Sequence, residues 1–118
     1  MIALLLALVL SVQAADRGTA LERVPAAARA LANPYHGSGD ARAAGRKLYE
    51  RHCAQCHEGD ERGKAPRLTR GRLGGTTAGE LFWFLKNGNL KEGMPAWSRL
   101  PEQRLWQIVT YLQSDRTD

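Results

Sequence analysis

Three stretches of this chain carry helix signals, and nowhere do apolar residues alternate as a half-buried strand does. The last stretch is the clearest. Leu105, Ile108, Val109 and Leu112 share one face of a helix predicted from Pro101 to about Gln113, flanked by Trp106 and Tyr111. The middle stretch opens with Thr77-Ala78-Gly79-Glu80, which fits a capping box. Leu81 to Leu85 follow without interruption, and Asn87-Gly88 closes the helix as a C-cap pair. The first stretch runs from about Asp40, a predicted N-cap, to Arg51, with Leu48 and Tyr49 as its apolar contacts. Gly45 sits in its middle, where glycine costs about 1 kcal/mol relative to alanine. Either another backbone approaches there, or the glycine is a tolerated defect. The pattern predicts an all-α domain, with most of the aromatics in its core.

Two segments precede these helices. Ile2 to Val12 is apolar except for Ser11, and is too short to span a bilayer as a helix. With Val12-Gln13-Ala14 after it, this segment reads as a secretory signal cleaved after Ala14, although no Lys or Arg precedes the apolar run. The alternative is an uncleaved anchor. Either places the remainder in an oxidising, non-cytosolic compartment, which in a bacterium is the periplasm. Residues 15–37 form an arm or linker. It is Ala-rich from Leu21 to Leu31, with a short helix expected from Pro25 and a break at Asn33-Pro34. It either packs along the domain or tethers it. The domain itself is assigned to residues 38–118. Its roughly 80 residues are marginal for an unaided hydrophobic core.

A short motif supplies the missing bulk. Cys53-Ala54-Gln55-Cys56-His57 is the C-x-x-C-H attachment pattern for one covalent haem c. Two thioethers must reach the two vinyl groups on one porphyrin edge, and a short turn of chain spans that gap. His57 then lies beneath the iron as a proximal ligand. The chain has no further cysteine. A structural zinc site would need more Cys or His ligands in separated pairs, and a redox C-x-x-C would need a βαβ context. A disulfide across two residues closes almost no loop.

Met94, His36 and His52 are the candidates for the second metal ligand. Met94 lies between two helices in Gly93-Met94-Pro95, where glycine allows approach and proline stiffens the exit. A thioether is a soft, neutral ligand for haem iron. His52 is held on the proximal side by Cys53 and is expected to face solvent, and His36 lies in the arm. Met94 is therefore assigned with His57 as a metal ligand. Cys53, Cys56, His57 and Met94 are expected to line one cavity.

The order and spacing of these features resemble the small bacterial class I cytochromes c over about residues 40 to 113. The matching residues are Gly45-x-x-x-Tyr49, Cys53-x-x-Cys56-His57, Pro66-x-Leu68, Gly88, Gly93-Met94-Pro95-x-Trp97 and Val109-x-Tyr111-Leu112. The resemblance implies the cytochrome c fold, three main helices around one covalent haem c. It further implies that Gly45 lies against Tyr111, that the Pro66 carbonyl accepts a hydrogen bond from His57, and that Trp97 lies near a haem propionate. Pro66, Leu68 and Trp97 are thus cofactor-binding candidates. Arg67, between Pro66 and Leu68, is set apart to serve the haem as well.

The formal charge of +5 is concentrated in one loop, at Arg62, Lys64, Arg67, Arg70 and Arg72. That loop either steers an acidic redox partner or is a solvated surface. It has no interleaved aromatics, which argues against nucleic acid. No stable membrane insertion is expected once the signal is removed. The resulting expectation is a periplasmic electron carrier, not an enzyme, passing single electrons from a dehydrogenase or bc-type donor to a terminal oxidase. That circuit comes from the resemblance alone. Two alternatives stay open: a fixed haem subunit of a quinoprotein dehydrogenase complex, with the arm as its docking strap, and a haem enzyme or gas sensor in which Met94 dissociates.

Overall fold

The computed structural model describes residues 20–59 and 65–116. The expected signal, residues 1–14, and the loop residues Arg62 and Lys64 lie outside the described residues. The elements run in the order α1 (Ala26–Arg29), α2 (Gly39–His52), α3 (Ala54–His57), α4 (Arg70–Leu73), α5 (Ala78–Asn87), a 3-10 turn (Leu90–Glu92) and α6 (Glu102–Gln113). Among the described residues the only extended pairing is a single antiparallel bridge, Asn89 with Met94. The domain is all-α, as the hydrophobic pattern predicts.

Helices α2 and α5 begin where side chains satisfy the first free N–H groups. The cap of α2 is Ser38, whose Oγ accepts from the Ala41 amide at 3.1 Å. Asp40, expected as the cap, falls instead in the first turn. There its charge complements the helix dipole. In α5 the capping box is complete: Thr77 Oγ1 accepts from Glu80 N at 3.1 Å, and Glu80 Oε1 accepts from Thr77 N at 2.9 Å. Helix α6 starts one residue after Pro101, which lacks the N–H that would otherwise need a partner.

The core lies where α2 and α6 cross, with α5 closing one side. The predicted face of α6 is buried along its length, and Val109 has no exposed surface at all. The crossing is close because α2 presents Gly45 to it. A Cβ at Gly45 would stand 1.9 Å from the Gln107 carbonyl oxygen and 3.0 Å from Tyr111 Cβ. One turn further along α2, the rings of Tyr49 and Tyr111 pack with centroids 5.3 Å apart. The expected Gly45–Tyr111 contact is therefore present, but the backbone at Gln107 is what forbids a side chain. Phe82 of α5 stacks on Trp106 of α6 at 4.1 Å and 14°.

The arm packs along the domain over its described part. Val24 is buried, and α1 rests on the N-terminal turn of α5. A Cβ at Gly79 would stand 2.0 Å from the Ala28 carbonyl oxygen. Glu80, buried beneath this seam, faces Arg29 at 4.0 Å. Asn33 does more than break a helix: its Nδ2 donates to Thr110 Oγ1 of α6 at 2.9 Å, and its Oδ1 accepts from Tyr35 N at 2.9 Å.

Replacing Gly45 with valine is expected to destabilise the haem-loaded domain by roughly 1–3 kcal/mol, because the clash is with backbone that cannot rotate away. Denaturant unfolding of parent and variant at equal haem content measures this. Equal midpoints would make Gly45 a merely tolerated residue.

Candidate functional site

The attachment motif sits at a corner. Helix α2 ends at Cys53, whose amide donates to the Tyr49 carbonyl at 2.8 Å, and α3 begins immediately after it. The His57 amide donates back to the Cys53 carbonyl at 3.0 Å, closing a single helical turn. Positions i, i+3 and i+4 of such a turn share one side, so Cys53, Cys56 and His57 project together. Their surroundings differ. Cys53 is buried in the core cluster, and Cys56 is exposed. Burial, reinforced by the neighbouring Cys56, pushes the Cys53 thiol up to about 11, so at neutral pH it is an uncharged thiol.

His57 Nδ1 lies 2.6 Å from the Pro66 carbonyl oxygen. A carbonyl can only accept, so Nδ1 carries the proton. The ring is fixed in one tautomer, and the Nε2 lone pair is left for a metal. This is the His57–Pro66 contact that the resemblance implied. Leu68, two residues on, packs against the core cluster.

Met94 is held by its backbone. Its amide donates to Asn89 O and its carbonyl accepts from Asn89 N, both at 3.0 Å. Gly93 takes φ 89°, with nothing within 4 Å of where its Cβ would stand, so it serves the turn rather than a close approach. The close approach is at Gly88. A Cβ there would be 2.7 Å from Ala96 N, Met94 O and Pro95 C, and its φ is 72°. Trp97 N then donates to Leu85 O at 2.8 Å, which returns the loop to α5. Asn89 also receives Arg23 Nη2 of the arm at 2.9 Å. This support was invisible in the sequence, since nothing local links Arg23 to a residue 66 positions away.

Met94, Trp97, Leu68 and Ala54 all pack against the cluster that contains Cys53. Leu68, Met94 and Trp97 thus share with Cys53 one core cluster, and Pro66 holds His57. Cys53, Cys56, His57 and Met94, expected to line one cavity, line neither of two depressions in the surface. The larger, about 450 Å³, lies between α1 and α5 against Leu31, Phe82 and Trp83. The smaller, about 150 Å³, lies between α4 and the end of α6.

His52 departs from expectation. It is half-buried rather than solvent-facing, with its ring 5.0 Å from that of Trp97. Burial and then the charges of Arg51, Arg99 and Arg104 hold it below the ordinary histidine value. Arg99 lies over the Trp97 ring, 4.5 Å from its centroid. His36 is exposed in the arm. Of the basic residues expected in one loop, Arg70 and Arg72 stand instead on α4; Arg67 and Arg72 are exposed, while Arg70 is ion-paired with Asp115.

An all-α domain with a C-x-x-C-H corner, an oriented histidine and a clamped methionine loop defines a haem-bearing electron-transfer protein of the class I cytochrome c type. Residues 40–112, well over half of the chain, match the family model described as cytochrome c oxidase, cbb3-type, subunit III, and the chain belongs to this cytochrome c family. No curated protein and no solved structure matches it significantly. The cytochrome c domain implies a covalently bound haem c and an electron-transfer protein. The residues present fit the group: two thiols and an imidazole on one side of a helical turn, with that imidazole's Nδ1 already engaged. Among the described residues no group of three or more His, Cys, Asp or Glu side chains could hold a metal in another way.

Protein matured in cells competent for cytochrome c assembly should carry one haem that survives acid-acetone extraction. Its intact mass should exceed that of the polypeptide by one haem, and the Cys53→Ala/Cys56→Ala double variant should lose that increment.

Proposed function

We propose that this chain is a monohaem electron carrier exported to the periplasm, with thioether bonds at Cys53 and Cys56 and axial ligands at His57 Nε2 and Met94 Sδ. The observation that supports this reading is the 2.6 Å contact between His57 Nδ1 and the Pro66 carbonyl, which leaves Nε2 free to ligate. When bound, the haem supplies a one-electron couple. The chain's own part is to hold the ligands. Pro66 orients the imidazole, and the Asn89–Met94 bridge with Gly88 keeps the thioether loop closed. With His57 and Met94 both holding the group, no place would be left for a substrate at the metal. Trp97 and Arg67 are proposed to face the haem propionates. Arg67 is exposed and Trp97 half-buried. Among the described residues no helix is long and apolar enough to cross a membrane.

The proposed circuit runs from a dehydrogenase or bc-type donor to a terminal oxidase, with acidic partners steered to the basic loop. Arg70 contributes less to that steering than its sequence suggests, since Asp115 offsets its charge. Arg67 and Arg72 remain exposed on the same segment. A second reading, that of a fixed haem subunit of a larger assembly, is favoured by the family's description as an oxidase subunit. The arm has less freedom to act as an external strap than a loose tether would, because α1 is already seated on α5.

Met94→Ala should abolish the weak sulfur-to-iron band of the ferric protein, lower the reduction potential and admit exogenous ligands. An unchanged spectrum and potential would remove Met94 from the iron.

A free carrier should leave periplasmic extracts as a monomer, with its oxidation rate by an acidic acceptor falling as salt rises, since exposed charges are screened beyond about 8–10 Å at physiological ionic strength. Copurification with a membrane oxidase in high salt would favour the fixed subunit instead.

A further inference from the structure

The C-terminal tail reaches the segment that orients His57. After α6 the chain turns extended at Ser114, with φ −78° and ψ 165°. The Asp115 carbonyl accepts from Arg42 Nη2 of α2 at 2.6 Å, and the Asp115 carboxylate pairs with Arg70 of α4. Held from both sides, the tail folds the Arg116 side chain back under the domain. Its Nη2 donates to the Leu68 carbonyl at 2.8 Å and to the Leu112 carbonyl at 3.2 Å. The guanidinium also lies over the Tyr111 ring, 5.3 Å from its centroid.

These contacts join two parts of the molecule that are otherwise distant in sequence. Leu112 and Tyr111 belong to α6, which the Gly45 crossing fixes against α2. Leu68 lies two residues after Pro66, whose carbonyl receives His57 Nδ1. The Pro66–Leu68 segment lies outside any helix, so regular backbone hydrogen bonding does not hold it. A charged donor to a carbonyl in a part-buried site is a stronger restraint than a neutral one. Both Leu68 and His57 are half-buried, so water competes only partly for these groups.

We propose that Arg116 is a positioning residue for the haem ligand: it anchors the Leu68 carbonyl to α6 and thereby sets the Pro66 carbonyl that orients His57. Arg116 lies beyond the matched residues 40–112. The role rests on the reading of His57 as the axial ligand. Its consequence is local. The length of the His57 Nδ1–H···O bond governs how strongly the imidazole donates to the metal, so loosening Leu68 alters the ligand without breaking it.

The test uses the full-length, haem-loaded ferrous protein and proton NMR of the His57 ring. In the parent, His57 should show resonances displaced by the haem ring current and a slowly exchanging Nδ1 proton. Absence of these in the parent would overturn the ligand reading itself, and the role of Arg116 with it. Given the parent signals, Arg116→Ala should shift the Nδ1 proton and speed its exchange by about tenfold, the factor expected when one charge-assisted hydrogen bond is lost from a local opening equilibrium. The Val109 amide, in the core of α6, should exchange as in the parent. Arg116→Lys, which keeps the charge and one donor, should give an intermediate exchange rate, and Arg46→Ala on the exposed face of α2 should change nothing. Parent-like Nδ1 shift and exchange in the Arg116 variants would overturn the proposal, as would equal acceleration at Val109, which marks general loosening. Should Arg116→Ala fail to mature, Arg116→Lys decides on the same two readouts.

Discussion

The backbone contact between α2 at Gly45 and α6 at Gln107 sets the geometry on which the site depends. With no side chain at Gly45, the two helices come close enough that a Cβ would lie 1.9 Å from the Gln107 oxygen. Tyr49 and Cys53 follow Gly45 at successive intervals of four along the same face of α2. Fixing the crossing therefore fixes the ring stack at Tyr49 and, beyond it, the corner from which Cys56 and His57 project. The contact is between main chains, so its geometry does not relax by rotamer changes. Burial raises the Tyr49 phenol to about 12, with Glu58, Cys53 and Tyr111 adding to the effect. That group stays neutral beneath the attachment corner across the physiological range.

From this frame the two proposed ligands are held by different means. His57 sits on a helical turn and is aimed by one hydrogen bond from outside that turn. Met94 sits in a loop whose ends are pinned to α5, through Gly88 at one side and Trp97 N to Leu85 O at the other. The first arrangement tunes an imidazole through its distal nitrogen. The second keeps a neutral sulfur near the core without using its side chain as the anchor. A weak, neutral ligand needs a rigid loop more than a histidine does, because its own bond contributes less to holding it in place.

The segments outside the family match reinforce both. The arm covers the start of α5 at Gly79, reaches α6 through Asn33 and touches Asn89 beside Met94 through Arg23. The tail covers the other side, through Asp115 and Arg116. A domain of this size has little core to spare, and the two termini add contacts on either side of the helix crossing.

Local sequence chemistry determined the helix face of α6, the apolar run of α5, the capping box at Thr77 and Glu80, the Gly88 stop and the C-x-x-C-H corner. Each depends on residues within a few positions of one another, and periodicity or spacing states it fully. The cap of α2 was misplaced by two residues, because Ser38 and Asp40 are both good caps and only the backbone decides between them. The family resemblance, rather than any local rule, located the Gly45–Tyr111 crossing and the His57–Pro66 bond. Tertiary structure alone decided that Gln107 backbone fills the space at Gly45, that Gly88 rather than Gly93 is the close approach beside Met94, and that His52 lies against Trp97. It alone brought Arg23 to Asn89 and Arg116 to Leu68. Those contacts join residues tens of positions apart whose side chains are ordinary surface types. No composition or period marks them, and only the packed helices bring them within hydrogen-bonding distance.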